Sequence, residues 1–587
     1  MNKQKQTAKG AGMKNTKVIC LITLASLLAL PIMAIQYVSS SPLIEVVKTQ
    51  VGPVQEGGVQ ELPIITWGGD IATIYANGNA LNTAAGSIFA QEGLNFKLIR
   101  QDTFTTQLDH YLSGKTPYLR GTLGMINMAS ELLSRDPRTK PVVVYQMTWS
   151  AGGDCLVVKD GITSVKDLKG KTIVLQAYGP HVELLATVLK SADLTFNDVI
   201  IRWVKDLTGT AESAAEAFRN DKNVGACFVV SPDAFALTSN GSIGSGAEQS
   251  VKGARSMFST RSANRVISDV YAVRADYFKN HQTEVAKFVH ALLTAKENMD
   301  QIVLNSSTRK AEYDKAISAS AKILLDSDQA MADTRGLYGD CEYVGYVGNV
   351  KFFANPTELR RFEALTSELQ GAFITMGILG KRVELDQAKF DYEAMKNGLA
   401  QTIAVEAPRF QANEVAKVID QKTKQGEDGA ILSIEILFGP NQNTFNSELY
   451  KTEFDKAIEL AATYGGAILT VEGHSDPMQY IDKKIGGAPE LVLTRLRQSA
   501  KNLSLTRAIA VRESLLNYGK SKSVLMDPSQ FAVVGHGFEQ PKTGIANGEP
   551  IRPKNQQEWA SNMRVVFKLI PIGDTEASVF TPAGGGK

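Results

Sequence analysis

A chain of 587 residues is too long for one hydrophobic core, because single domains stop growing near about 250–300 residues. With 43% hydrophobic and 21% charged residues, it has the composition of a globular protein, which excludes a disordered or collagen-like chain. Formal net charge is +2 and no long basic stripe occurs in the folded part, so nucleic acid is excluded as an expected partner.

Residues 1–17 carry five lysines and no acid, and residues 18–38 read VICLITLASLLALPIMAIQYV, without a charge. Roughly 20 apolar residues are needed to cross a bilayer as a helix, and flanking lysines stay cytoplasmic. The expectation is one N-terminal transmembrane helix over 18–38, with everything after it exported. A cleaved signal peptide is the alternative, with cleavage near 39–41. The long lysine-rich leader and the length of the run favour a retained anchor. The run holds no ionisable residue, which argues against an ion-driven motor subunit, where a membrane carboxylate carries the proton. Cys20 lies in this run, leaving Cys155, Cys227 and Cys341. Three cysteines allow one disulfide at most, and the absence of CxxC or Cys/His clustering predicts no metal and no cofactor.

After a Pro/Gly-punctuated stretch at 51–63, strand-like segments (64–67, 142–145, 172–175, 225–230, 270–273) alternate with helical patterns (182–191, 211–219). This order predicts an α/β domain over 58–400 with a mostly parallel sheet, whose ligands bind beyond the carboxyl ends of the strands. Three loops there combine glycine with aromatic or charged groups: Trp67-Gly68-Gly69-Asp70, Trp149-Ser150-Ala151-Gly152-Gly153-Asp154 and Tyr178-Gly179-Pro180-His181. The third precedes a helix, whose free amides favour an anionic group. A plain turn is the competing reading for each.

The run DGITSVKDLKGKTI (160–173), with DVYAVRADYF (269–278) and GNVKFF (348–353), resembles periplasmic solute-binding proteins. The likeness is to the branch serving ABC transporters for taurine, alkanesulfonates, nitrate and thiamine precursors. It implies a two-lobed fold, with lobe one over about 60–150 and 265–400, and lobe two over about 151–264. Two crossovers would form the hinge. Matching loop positions give Trp67, Asp70, Asn127, Trp149, Ser150, Tyr178, Gly179, Thr208 and Asp233 as candidate ligand residues, for an anionic or zwitterionic small molecule. The tryptophans could instead pack the hinge.

Residues 401–427 read as an extended or partly helical connector. A second α/β pattern follows: a strand at 431–438, helical spacing of Tyr450, Phe454, Ile458 and Ala461, and a strand at 468–472 ending in Gly473-His474-Ser475-Asp476. A helix is predicted from Ser504 as N-cap to about Tyr518, placing Arg507 in its first turn, before strands at 531–534 and 565–569. The ordered motifs GHSD, LSLTRA and Asn562-Met563-Arg564-Val565 resemble the OmpA C-terminal family, implying a βαβαββ-like OmpA-type domain over 428–573. Such domains hold the diaminopimelate of the peptidoglycan stem peptide, a zwitterion that needs an anion beside a cation. The resemblance assigns the ammonium to Asp476 and the carboxylate to Arg507, whose fork suits it better than lysine. Asn562 and Arg564 would support the seat. An insertion over 477–499 separates Asp476 from Arg507, and Ala500 stands where the family has asparagine, with Asn502 near. Residues 574–587 read as a flexible tail.

The expected function is a periplasmic small-molecule receptor anchored to the inner membrane and to peptidoglycan, serving ABC transport or sensing, with an ABC permease or another envelope protein as partner. The alternative is a membrane-to-wall tether whose receptor-like domain docks a protein. A cleft of free convergent polar groups would favour the first, and a cleft filled by side chains the second. An exported enzyme of a pyrimidine-synthesis-like branch is a third reading. The chain contains no HExxH, no GxGxxG after a strand and no Walker A signature, so it is not expected to be an enzyme.

Overall fold

The computed structural model describes residues 35–400, 409–424, 430, 432–440, 442 and 447–580. Of the apolar run expected to cross the membrane, 18–34 lie outside the described residues, as do the basic tail and Cys20. Among the described residues no helix is long and apolar enough to cross a membrane.

Two α/β lobes follow one another, and the chain crosses between them twice. Lobe one begins with β1 (Gln60–Ile64), β2 (Phe96–Arg100), β3 (Tyr118–Thr122) and β4 (Pro141–Ser150). Lobe two holds β5 (Asp154–Val158), β6 (Thr172–Gln176), β7 (Ile200–Val204), β8 (Val224–Val230) and β9 (Arg255–Ser259). The chain then returns through β10 (Ser268–Arg274), β11 (Cys341–Tyr343) and β12 (Asp386–Gln387). In lobe one β1 pairs parallel with β2, and a second ladder runs β11-β4-β10-β3, with β12 on β4. Lobe two is one sheet in the order β7-β6-β8-β5-β9. All ten residues of β4 are buried, which accounts for its unbroken VVVY run: a central strand covered on both faces needs no polar alternation. The first strand spans 60–64 rather than 64–67, because Trp67 lies in the turn that leads into the helix Asp70–Ala76. The helix Gln282–Leu304 buries Val285, Phe288, Val289, Leu292, Met299 and Ile302 at spacings of three and four. Phe288 meets Phe89, Phe96, Tyr118 and Tyr271 in one aromatic cluster.

Residues 35–55 form a strap across both lobes. Val38 pairs antiparallel with Trp203 on β7, and the Tyr37 hydroxyl donates to Asp221 at 2.6 Å. Further on, Leu43 and Val47 are buried in the main core, and Gly52 N–H donates to Leu112 C=O on lobe one.

The C-terminal domain contains β13 (Leu432–Leu437), β14 (Ile468–Gly473), β15 (Phe531–Gly535), a short hairpin of β16 (Ile545–Ala546) and β17 (Glu549–Pro550), and β18 (Arg564–Ile570). Its sheet runs β13-β18-β14-β15, with β14 and β15 parallel and β18 antiparallel to both neighbours. β13 alternates buried and exposed residues, as a strand with one face on the core does. Within the stretch read as a connector, 409–424 carries the helix Ala412–Lys424, whose Val415, Val418 and Ile419 pack with Ile468 and Ile572 of this domain.

The predicted N-cap at Ser504 is not observed. One helix runs Glu490–Ser521 without a break, and Ser504 is buried within it. The Ser504 hydroxyl donates to Lys501 C=O and accepts Gly537 N–H, so the motif serine ties helix to loop rather than starting the helix. The insertion 477–499 supplies a short helix, Met478–Ile485, and the first turns of the long one.

Candidate functional site

The two crossovers, β4 to β5 and β9 to β10, are laced together at Thr260. Its hydroxyl accepts the N–H groups of Gly152 and Asp154 and bonds Ser150 Oγ at 2.7 Å. Ser150 Oγ also donates to Asp154 at 2.6 Å, and Asp154 meets His181 Nε2 at 2.8 Å. Ser150 is therefore a hinge residue with its partners already in place. Trp67 is a hinge contact as well: a Cβ on Gly153 would stand 2.2 Å from its ring. Its buried indole nitrogen has no partner.

Asp70, expected to face a ligand, is fully buried and bound by Arg120 at 2.9 Å. Arg120 reaches Asp269 at 2.8 Å with its other nitrogen, and Thr148 donates to the same Asp269. Burial raises the Asp70 carboxyl against the pull of Arg120. Asn127 lies buried in the helix Leu123–Leu133, accepting from Gln370 and donating to Leu123 C=O. Trp149 is buried between Phe352 and the Arg265 guanidinium. The structure brings Trp67, Ser150 and Trp149 to the lobe junction, and commits Asp70 and Asn127 to lobe one.

On the lobe-two side, Tyr178 adopts a left-handed backbone, and its hydroxyl donates to Ser41 C=O of the strap at 2.6 Å. A Cβ on Gly179 would meet the Gln176 amide oxygen at 2.2 Å, so a side chain there would displace Gln176. Asp233 is half-buried, with Oδ2 unpartnered. Burial raises its carboxyl, while the exposed Thr208 lowers it.

A buried residue that bridges the lobes is Glu183, which the sequence reading did not single out. It sits in the first turn of the helix His181–Ser191 and reaches across to lobe one, where Gly124 N–H donates to its Oε2 at 3.1 Å. Gly124 belongs to the first turn of the helix Leu123–Leu133, capped by Thr122. Glu183 is almost wholly buried, and among the described residues its Oε1 has no hydrogen-bond partner. Burial pushes its carboxyl well above the usual range, with Asp269 and Asp154 adding to the rise and Thr122 and Gly124 opposing it. The one signal in the sequence was the loop before this helix, read as a seat for an anion. Glu183 instead reaches the amide of Gly124, which opens the helix Leu123–Leu133 of lobe one.

In the C-terminal domain β14 delivers Asp476 to its carboxyl end, and the long helix delivers Arg507. The approach is close because Gly473 has no side chain; a Cβ there would lie 1.8 Å from Ser504 C=O. Arg507, 1% exposed, donates to the carbonyls of Gln442, His474 and Gly439 and stacks on Phe438. Burial alone pulls its guanidinium down to about 10, and among the described residues no carboxylate pairs with it. Asp476 Oδ2 accepts Met478 N–H at 3.0 Å, with Oδ1 buried. Burial raises this carboxyl, with Trp559 and Asn562 opposing. Asn562 also accepts the N–H groups of Lys542 and Thr543, and Arg564 donates to Gln540 C=O, so both brace the loop beside the seat. The insertion helix stands next to it: Tyr480 bonds Glu549 and Arg497, and Asp482 adds to the rise at Asp476.

Among the described residues no disulfide links Cys155, Cys227 or Cys341. Among the described residues no cluster of three or more metal-ligating side chains occurs.

Residues 85–301 match the family model described as NMT1/THI5 like, a span from lobe one through the whole of lobe two and back. No curated protein matches the chain. Solved structures with a similar fold include the periplasmic aliphatic sulphonate binding protein SsuA from Escherichia coli, 15% identical, covering 57% of this chain and 95% of that one, TM-score 0.39. The alkanesulfonate-binding protein SsuA from Xanthomonas axonopodis pv. citri, bound to MOPS, is 14% identical over 49% of this chain and 87% of that one, TM-score 0.34. The desulfurization enzyme DSZB is 16% identical over 58% and 99%, TM-score 0.34.

Proposed function

We propose that this is an exported envelope protein in which a solute-receptor-type domain is held to the cell wall by its C-terminal domain. The observation that carries the reading is the pair at the end of β14. Among the described residues Arg507 is a buried cation whose hydrogen-bond partners are carbonyls, and Asp476 is a half-buried carboxylate beside Met478, Trp559 and Asn562. An uncompensated buried charge is costly, and a zwitterionic diaminopimelate end would satisfy both groups at once. The full exported chain is expected to sediment with isolated peptidoglycan sacculi. Asp476→Ala and Arg507→Lys should each cut the bound fraction roughly tenfold, the lysine because it loses the fork. Equal sedimentation of both variants with the native protein would rule the seat out.

For the two-lobed domain a small-molecule receptor is the first reading, with an ABC permease or another envelope protein as its partner and periplasmic anchoring at the inner membrane. A specific observation favours the second reading, a wall tether with a protein-docking platform: Glu183, Tyr178 and Asp70 already hold intramolecular partners. Thermal-shift screening of the full chain against sulfonates, nitrate, amino acids and pyrimidines separates the two. A compound that raises Tm supports the receptor, and silence across all four classes supports the platform.

A further inference from the structure

The C-terminal domain rests on the second crossover of the two-lobed domain, the segment 259–268 that joins β9 to β10. Gly466 N–H donates to Ser262 C=O at 3.1 Å, and Arg265 N–H donates to Thr463 C=O at 3.2 Å. Ile572 N–H donates to Ser262 Oγ at 3.1 Å. The fit is tight: a Cβ on Gly466 would stand 1.8 Å from Arg261 C=O. Tyr464, fully buried, sets its ring against Phe258 of β9. Around this centre, ion pairs tie the same domain to lobe two, Lys456 with Asp193 and Glu459 with Lys190. Lys190 also pairs with Glu368 of lobe one at 2.7 Å, and Arg360 beside it donates to Arg265 C=O within the crossover.

Opening a two-lobed domain requires its crossovers to change backbone angles while the lobes move as bodies. Here the second crossover is hydrogen-bonded at Ser262 and Arg265 to a third body that is also ion-paired to lobe two at Lys190, which itself pairs with Glu368 of lobe one. We propose that the docked C-terminal domain is a hinge lock, which holds the lobes closed, so that the cleft opens only when this domain lifts from the segment 261–265. The lock and the proposed wall seat lie at opposite ends of β14, six residues long and so about 20 Å. Wall binding therefore does not compete with the lock. The inference concerns the contact between domains and stands whether or not the wall seat is confirmed.

The test uses the full chain with one distance label on each lobe, at the exposed Lys97 and Lys252, and Gly466→Val as the unlocking variant. Without any ligand or wall material, the native chain should give one narrow interlobe distance. Gly466→Val should add a second, different distance and speed amide exchange over 261–266 roughly tenfold. If Gly466→Val fails to fold, Tyr464→Ala removes the ring seated on Phe258 and makes the same test. Three results overturn the lock: two distances in the native chain, faster exchange with the interlobe distance unchanged, or exchange at 261–266 unaffected by the variant.

Discussion

Arg120 neutralises two buried carboxylates, Asp70 and Asp269, in a place where water reaches none of the three. Removing Asp70 leaves Arg120 paired with Asp269 but strands the guanidinium N–H groups that Asp70 accepted, at a cost of about 1–3 kcal/mol. Asp70→Ala is therefore expected to lower unfolding stability by that amount in denaturant titration; a change in ligand response at unaltered stability would return Asp70 to the cleft. Glu183 gives a pH signature. Its carboxyl is raised in the folded state, so the folded chain holds the proton more tightly than the unfolded one. The resulting stability is full below the unfolded value of about 4.3 and is lost as pH rises toward the folded value. Glu183→Gln keeps an acceptor for Gly124 and cannot ionise. Its Tm should match the native protein near pH 4 and exceed it at pH 8, and equal Tm at both would show that Glu183 carries no such load. At this scale the sequence identified loop positions but not partners. Asp70 was legible as a polar residue after a strand; its tie to Arg120 depends on bringing the helix Asp70–Ala76 against β3, 50 residues on, which no local pattern encodes.

The long helix and β14 meet backbone to backbone at Gly473 and Ser504, and again where Gly535 of β15 faces Leu505. These glycines let Arg507 reach the end of the sheet. Gly473→Val should cost the C-terminal domain about 1–3 kcal/mol or more by overpacking, seen as an earlier unfolding transition and lost sacculus binding. An unchanged transition would mean that helix and strand can part without penalty. The strands of this domain were legible because they alternate or run apolar between clear turns. The helix start was not: Ser504 has the chemistry of an N-cap, and Pro489 followed by Glu490 offers an equally good beginning fifteen residues earlier. The insertion turned that ambiguity into one uninterrupted helix of 32 residues.

The two-lobed plan was legible from alternating strands and helices together with the motifs at 160–173 and 269–278. The seating of the third body on the crossover was not, because it depends on two glycines, Gly465 and Gly466, that read in sequence as an ordinary turn. The strap over 35–55 was equally silent, since its partners are remote. Tyr37 and Asp221 lie 184 residues apart, and this distance sets an order of events during synthesis. At about 5–20 residues per second, the strap leaves the ribosome roughly 10–40 s before Asp221 exists. The strap's other partners in lobe two, Tyr178 and Trp203, are made only late in that interval, so for most of it residues 35–41 have nothing there to pair with, and sealing the strap onto lobe two is among the later steps in assembling the domain. A factor that attends the growing chain meets it unsealed.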